Sequence, residues 1–386
     1  MAPNSTAQRL LISVHRFVRP VIPVAAWAAL AVAASTLTAQ PAASGFDHEG
    51  LATQALDGHI RPGYERFKQT TGALKSALDE ACKAHDVKAD ERVKAAFRGA
   101  VLAWSQVEHI KFGPILEGNA HERIMFFPDR QKIGERQVAQ ILAKQDPTAL
   151  TVPELQQKSV AVQGLTALEV VLHGKPAESY LAGSPEAKFT CSYASAIAGN
   201  IAGIASNVVA AWAKDGSFAA LWVKTGEQNP VYKTNSGPTA ELLTAFRGGI
   251  SNARDGKLLP SLGLKKTGPN GPLAPKSKPP FDLSGLGLAT MIANTEGVLE
   301  LFEKGGLAER LAVTEKETAV LIKGELQAAI RIGREIEPAG ANAFNDKDAA
   351  TKLATMREPL ATAAAGNEQL ASAAGMVLGF TADDGD

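Results

Sequence analysis

Glu169 is the residue whose type and surroundings most strongly indicate chemistry. It lies in SVAVQGLTALEVVLHG, residues 159–174, where apolar side chains surround the predicted helix on all sides. A carboxylate in an apolar interior is costly unless it is protonated, paired with a cation or given hydrogen-bond donors. Two interpretations are open: a structural ion pair with an Arg or Lys from another helix, or an internal polar site that binds a ligand.

Glu108 is a second candidate, because it lies four residues after Trp104 on the same helical face, just before FGP ends the helix. A Trp beside a Glu is typical of a small-molecule pocket wall. A solvent-exposed Glu at the edge of an apolar stripe is the alternative. Arg123, in the loop after this helix, is a candidate counter-ion for Glu108 or Glu169, since guanidinium suits a partly buried carboxylate. Asp129 is predicted to cap the next helix.

The familiar catalytic and cofactor signatures are absent from the sequence, which contains no HExxH, GK[ST] phosphate loop, dinucleotide fingerprint or GxSxG. His109 points about a hundred degrees away from its neighbour Glu108 on a helix, so the two cannot easily share an ion. His173 lies four residues after Glu169 and could share a metal with it, or it could simply favour the helix C-terminus.

Helical periodicity positions these residues, and strand alternation is nearly absent. The sequence therefore predicts an all-α protein with two long breaks, at 112–131 and at the Pro-, Gly- and Lys-rich stretch 263–282. The segments with apolar residues at three and four spacing are 52–82, 91–112, 131–145, 154–173, 190–214, 239–254, 284–304, 315–336 and 346–377.

A faint internal repeat indicates two packed helical bundles related by a pseudo-twofold axis, although chance similarity between Ala-rich helices would also produce it. In this alignment Glu108 corresponds to Lys257 and Glu169 to Thr290, so the carboxylates belong to one half. The matched pairs are 96–114 with 245–263 and 163–169 with 284–290, and the predicted bundles are 45–214 and 215–386.

The first 39 residues have the layout of a secretory signal peptide, with Arg9, Arg16 and Arg19 before an apolar run and small residues. Cleavage is expected after Ala34 or Ala39, and a retained membrane anchor is the alternative. No Cys lies nearby, which argues against a lipid-anchored form. These features predict the bacterial periplasm.

The charge balance argues against a nucleic-acid partner, and the two cysteines raise the question of a disulfide. Lys plus Arg and Asp plus Glu both total 40, so no positive excess exists to bind nucleic acid. Cys82 and Cys191 could form a single disulfide in an oxidising compartment, or remain two buried thiols, because sequence alone does not show their proximity.

The chain resembles the imelysin-like family over nearly the whole predicted mature chain. That resemblance implies a bacterial cell-envelope protein of two related helical bundles with a site at their interface. It also implies a link to iron acquisition and a historical assignment as a metallopeptidase. The motifs that carry it are WSQVEHIKFGP, RIMFFPDR, SVAVQGLTALEVVL, CSYASAIAGNIAGIASNVVAAW, LSGLGLATMIANTEGVLELF and the terminal GFTADDGD.

The family signature GxHxxE departs from its pattern here, because Gly164 and Glu169 match but Thr166 occupies the His position. His and Glu at this spacing share a helix face and can grip one cation, whereas Thr offers only a hydroxyl. The departure weakens the inference to peptidase activity or to tight binding of a transition metal.

The sequence thus predicts a non-enzymatic periplasmic binding protein for iron- or haem-related uptake, with Trp104, Glu108, Arg123, Thr166 and Glu169 lining a site between the bundles. Its partners would be a small ligand or metal ion, and other envelope uptake proteins. The alternatives are a metal-dependent peptidase of the imelysin type and a non-catalytic envelope interaction protein whose buried charges are structural.

Overall fold

A computed structural model of the protein describes residues 45–84, 87–178 and 180–376. The predicted signal peptide, 1–39, and the GFTADDGD motif, 379–386, lie outside the described residues. The described residues belong to one compact unit. The boundary between 214 and 215 and the pseudo-twofold relation of two bundles stay predictions.

The all-α prediction is confirmed, because every regular element of the described residues is helical apart from one isolated bridge between Lys266 and Leu273. The α-helices are α1 His48–Ala55, α2 Arg61–Ala84, α3 Asp90–Ser105, α4 Ala120–Ile124, α5 Ile133–Lys144, α6 Val152–Leu155, α7 Leu165–His173, α8 Pro185–Trp212, α9 Ser217–Val223, α10 Ser236–Ser251, α11 Leu259–Leu262, α12 Gly287–Glu303, α13 Leu307–Ala312, α14 Lys316–Ile336, α15 Lys347–Ala354, α16 Arg357–Ala365 and α17 Asn367–Ala373. Short 3-10 turns lie at Val87–Ala89, Gly113–Asn119, Pro147–Ala149, Val160–Val162, Lys175–Glu178 and Glu337–Asn342.

Apolar periodicity accounts for the long helices and not for every boundary. In α14 the buried residues Ile322, Leu326, Ala329 and Ile336 recur at helical spacing and cover one face. The predicted helix 154–173 is interrupted, because Gly164 must let the backbone of residues 123–124 approach. A Cβ at Gly164 would collide with the carbonyl oxygens of that segment, so α7 starts only afterwards.

Two groups of helices meet along α3 and α12. In the first group, α2 packs along both α3 and α8. In the second, α12 packs on α10 and α14, and α14 packs on α16. At the junction Gly297 on α12 lies against the carbonyl of Gln106, at the end of α3, so closely that any Cβ would overlap it. Buried apolar side chains form one continuous cluster across both groups.

Two π-helical segments interrupt the helices that flank this junction. The first, π1 (Leu56–Ile60), lies between α1 and α2, and the second, π2 (Asn252–Leu258), lies between α10 and α11. Each carries one fully buried titratable side chain, His59 in π1 and Lys257 in π2. A π-segment shifts the register of the helix and often occurs at functional sites.

The longest helix, α8, is apolar enough by length and composition to cross a membrane, with half of its most apolar window buried in the protein. Core helices of soluble proteins meet the same criteria. Within the protein, α8 packs against α2, α6 and α7.

Cys82 on α2 and Cys191 on α8 form a disulfide, so of the two interpretations of the cysteines the structure supports the bridge. The cysteines are separated by 109 residues, with a Cα to Cα distance of 5.7 Å. The bridge therefore joins two helices that already pack against each other.

We expect that Cys82→Ser together with Cys191→Ser lowers the free energy of unfolding by about 4 to 5 kcal/mol in the chain-entropy model, because the bridge restricts a long loop in the unfolded state. Urea denaturation of the oxidised protein and the double variant measures this difference. Equal midpoints and slopes for the two proteins would show that the bridge contributes nothing.

Candidate functional site

Glu169 lies on α7 and is buried, with 6% of its surface exposed. Its Oε1 accepts hydrogen bonds from the backbone N–H of Ser284 at 2.8 Å and from Ser284 Oγ at 2.7 Å. Within the described ranges, no Lys or Arg forms an ion pair with it. Burial raises the pKa of Glu169 to about 7, with a further rise from Asp282, against the lowering effects of the Ser284 hydrogen bonds and of Lys278. Glu169 therefore holds its proton to a higher pH than an ordinary glutamate does.

Ser284 belongs to the segment that leads into α12, so Glu169 connects the two helix groups. Beside it, Lys278 forms an ion pair with Asp282 at 2.7 Å between Nζ and Oδ2. Thr166, one turn before Glu169 on α7, is partly buried, and its hydroxyl accepts a long hydrogen bond from the backbone N–H of Phe126 at 3.4 Å. The polar groups around Glu169 are thus a hydroxyl, an amide and one exposed ion pair.

The prediction that Glu108 lies on the helix of Trp104 is wrong, because α3 ends at Ser105 and Glu108 lies in the turn that follows. There it belongs to a second buried network. Lys257 Nζ in π2 is 2.6 Å from Glu108 Oε2, and the amides of Asn294 and Asn252 donate to the two carboxylate oxygens at 2.9 and 3.0 Å. Burial opposes ionisation of Glu108, but Lys257 and the hydrogen bonds outweigh it and hold the pKa at about 2. The carboxylate is therefore charged and fully compensated.

The side chain of Trp104 is fully buried. It packs against Phe67 and, edge to face, against His121, with ring centroids 5.4 and 5.0 Å apart. His121 Nε2 lies 3.1 Å from the backbone carbonyl of Glu108. Trp104 is thus a core residue that reaches Glu108 only through His121. Glu108 itself is part of an internal ion pair with Lys257.

A third polar group begins at the next residue, His109, which lies in the same turn after α3 and whose ring stacks on that of His59. His109 Nε2 and His59 Nε2 are 3.0 Å apart, and His59 Nδ1 lies 3.5 Å from Glu300 on α12. Arg66 forms an ion pair with the same carboxylate. Burial lowers the pKa of both histidines, so each stays neutral at neutral pH and one N–H···N bond links them.

Arg123 does not serve as the counter-ion of Glu108 or Glu169. Its Nε donates to the carbonyl of Gly118 at 2.7 Å, and its Nη1 donates to Gln156 O and Gln163 Oε1 at 3.1 and 3.3 Å. Lys257 is the counter-ion of Glu108 instead. The sequence suggests Arg123 because guanidinium suits a partly buried carboxylate. Arg123 lies on the short helix α4 and not in a loop, and its hydrogen bonds go to backbone and amide oxygens instead.

The structure thus divides the predicted site. Trp104 and Glu108 both contact His121, Thr166 and Glu169 share α7, and Arg123 contacts neither carboxylate. The two carboxylates have no hydrogen-bond partner in common among the described residues. A structural ion pair, one of the two interpretations of Glu169, is found at Glu108 instead. Glu169 accepts hydrogen bonds from Ser284.

Sequence reasoning missed the partners Lys257, Asn294, Asn252 and Ser284, and the pair His59 and His109. Asn294 carried a usable signal, because it is a polar residue in an otherwise apolar helix, as Glu169 is. Lys257 carried another, since the repeat alignment matched it with Glu108. The predicted cap is confirmed, because Asp129 accepts from the N–H groups of Ile133 and Gly134, both at 2.7 Å.

Within residues 45–84, 87–178 and 180–376, no three His, Cys, Asp or Glu side chains are grouped so that they could hold a metal ion. A catalytic zinc usually takes three protein ligands and leaves one position open. The donor set around Glu169 is one carboxylate and the Thr166 hydroxyl, which does not fit a peptidase zinc.

Comparison with known proteins places this arrangement in context. A family model described as imelysin, Peptidase M75, matches residues 60–372. An imelysin-like protein from Psychrobacter arcticum 273-4 has a similar solved structure, with a TM-score of 0.70 and 18% sequence identity. The similarity covers 86% of this chain and 97% of that one.

A second solved structure, described as a candidate iron-regulated protein A precursor from Parabacteroides distasonis ATCC 8503, has a TM-score of 0.68 and 15% identity. This similarity also covers 86% of this chain and 97% of that chain. No curated protein matches the chain. At these identities the structural likeness establishes the fold.

We expect Glu169→Gln to stabilise the protein at about pH 8 and to leave it nearly unchanged at pH 4.5, the ordinary pKa of Glu. In the folded protein Glu169 keeps its proton up to about pH 7, whereas in the unfolded chain it loses the proton near pH 4.5. The unmodified protein therefore loses stability as the pH rises from 4.5 through 7. The amide keeps the Ser284 hydrogen bonds without an ionisation cost. Between pH 4.5 and pH 8 the free energy of unfolding of Glu169→Gln should therefore rise by about 3 kcal/mol relative to that of the unmodified protein.

Urea denaturation of both proteins at the two pH values measures this difference, with Glu368→Gln on the exposed surface as the control for lost charge. A difference that does not vary with pH would show that Glu169 does not titrate in this range.

We expect Lys257→Met to lower the free energy of unfolding by about 3 to 5 kcal/mol, because it leaves the Glu108 carboxylate buried without a counter-ion. Combining it with Glu108→Gln should recover much of this loss, since the asparagine amides can bond a neutral amide. A double-mutant cycle from thermal or urea unfolding gives the coupling energy. Additive losses would contradict the buried ion pair.

Proposed function

The chain belongs to the imelysin family, and from that premise we propose that it is a non-enzymatic binding protein of the bacterial periplasm that takes part in iron- or haem-related uptake. The proposal rests on one observation: Glu169 is a buried carboxylate that bridges the two helix groups and that no basic side chain of the described residues neutralises. The description of the Parabacteroides distasonis relative as a candidate iron-regulated protein supports the link to iron.

A buried carboxylate without a cation favours a cationic or hydrogen-bond-donating ligand, because either one offsets the cost of ionising it. Ser284 uses Oε1 of Glu169 for two hydrogen bonds and so fixes the orientation of the group. Iron also prefers oxygen donors of this kind when it is in the ferric state, since hard cations bind carboxylates. The site is therefore oriented before a ligand arrives.

The cargo is expected to bring most of its own ligands. The described residues offer one uncompensated carboxylate here and no group of three metal ligands, so a bare ion would bind weakly. Haem and chelated iron already satisfy most coordination positions of the metal and need one additional donor from the protein. We propose that Glu169 supplies this donor, with the Thr166 hydroxyl on the same helix face as a second contact.

The peptidase alternative has less support, because Thr166 replaces the family histidine and the donor set does not fit a catalytic zinc. An envelope interaction protein with structural charges is favoured by the Glu108 and Lys257 pair, which is compensated internally. It does not account for Glu169. The secretory layout of residues 1–39 supports the periplasmic location.

We expect protein purified from the periplasm to be stabilised by haem or by a ferric chelate, by about 2.7 kcal/mol at a ligand concentration one hundred times Kd. Thermal melts with haem, ferric citrate and ferrous sulfate, together with elemental analysis of the purified protein, test this. Glu169→Gln should lose the shift, because the amide is a weaker donor to iron. Glu241→Gln, another partly buried glutamate, should keep it.

A protein that contains no iron and whose melting temperature responds to none of these probes would contradict the proposal. Cleavage of a peptide that stops on chelation and in Glu169→Gln would instead support the peptidase. Co-purification of an envelope partner, with neither response, would support the interaction protein.

A further inference from the structure

A cleft of about 290 Å³ is lined by residues of α8, α4 and the 3-10 turn Gly113–Asn119, and neither Glu108 nor Glu169 lines it. Its floor is apolar and consists of Pro114, Ile204 and Val208, all of them buried. Its rim is polar and includes Glu117, Arg123 and Asn207. An apolar floor under a few polar side chains is the usual composition of a small-molecule site.

Arg123 is a fixed positive charge on this rim. Its three hydrogen-bond acceptors within the described residues, the oxygens of Gly118, Gln156 and Gln163, are all neutral. These bonds use Nε and Nη1 of the guanidinium, and Nη2 contacts no acceptor in the described part of the chain. An oriented guanidinium with no carboxylate partner is suited to bind a carboxylate from outside the protein.

A network of buried amides holds Arg123 in place. Gln163 and Asn200 are fully buried, and Asn200 Nδ2 donates to the carbonyl of Gln163 at 3.2 Å. Gln156 Nε2 in turn donates to Asn200 Oδ1 at 2.9 Å. Because these amides satisfy one another, the guanidinium orientation is set before any ligand binds, which reduces the entropy cost of binding.

Glu117 provides the opposite charge on the same rim. It precedes Gly118, the residue whose carbonyl holds Arg123, and it is exposed. Glu117 and Arg123 form no ion pair in the described structure, so neither charge neutralises the other. Asn207, on α8, adds an exposed amide to the rim. The cleft thus presents a cation, an anion and an amide around an apolar floor.

We infer that this cleft binds a small zwitterion with an apolar side chain, in the class of aliphatic α-amino acids and the shortest peptides. Arg123 binds the carboxylate, Glu117 binds the ammonium group, and the side chain lies on Pro114, Ile204 and Val208. The volume lies at the lower limit of ligand pockets, which suits an amino acid better than a larger molecule. This site is independent of the proposed iron function.

Isothermal titration of the full mature chain with L-leucine tests the inference, and dileucine distinguishes a peptide from a free amino acid. N-acetylleucine lacks the ammonium group and leucinamide lacks the carboxylate, so both should bind at least about tenfold more weakly than leucine. Arg123→Gln should weaken leucine by at least tenfold and should leave the already weak leucinamide unchanged. Glu117→Gln should weaken leucine but leave N-acetylleucine unchanged.

Arg130→Gln, an exposed arginine outside the cleft, serves as the matched control and should bind leucine as the unmodified protein does. Because Arg123 also supports the amide network, Asn207→Trp provides a second variant that fills the cleft from the surface without breaking that network. It should abolish binding with an unchanged melting temperature. Absence of leucine and dileucine binding at millimolar concentration, or binding that survives both Arg123→Gln and Asn207→Trp, would overturn the inference.

Discussion

The compensation of buried charge at the junction of α3, π2 and α12 is the constraint on which the rest of the structure depends. Glu108 cannot reach bulk water, so its charge must be met by protein groups, and Lys257, Asn252 and Asn294 meet it from π2 and α12. These groups belong to segments distant in sequence. The pair therefore specifies one relative position of the two helix groups, because any shift would strand a charge in an apolar interior. Gly297 permits the close approach that this position requires.

Glu169 is also a buried carboxylate, but among the described residues no Lys or Arg forms an ion pair with it. Its two hydrogen bonds come from Ser284, and no cation in the described residues balances it. The group responds by holding its proton up to about neutral pH. A compensated carboxylate such as Glu108 supports the architecture, whereas an uncompensated one remains able to respond to a ligand or to pH. This contrast, rather than burial alone, distinguishes the candidate functional residue from the structural one.

The π-helical segments explain how the polar groups reach the junction. A residue added to a helix turn changes which side chains face inward, and π1 and π2 each direct a titratable side chain, His59 and Lys257, at the adjacent pair Glu108 and His109. On the far side, α12 contributes Asn294 and Glu300. The dipeptide Glu108-His109, in the turn after α3, therefore receives contacts from both helix groups, and its two side chains belong to separate networks.

The sequence by itself determined the helical class, most long helices, the family and the fact that Glu169 must be a costly buried group, because apolar periodicity and the composition around one residue are local properties. It could not decide which carboxylate would find a counter-ion, since Lys257 and Ser284 lie more than a hundred residues away from Glu108 and Glu169. Nor could it foresee the break before α7 at Gly164, or that the turn after α3 would carry Arg123 to a separate cleft. Only the tertiary structure decided these points, because they depend on packing between distant segments, where a few ångströms determine whether a charge is paired, protonated or left available.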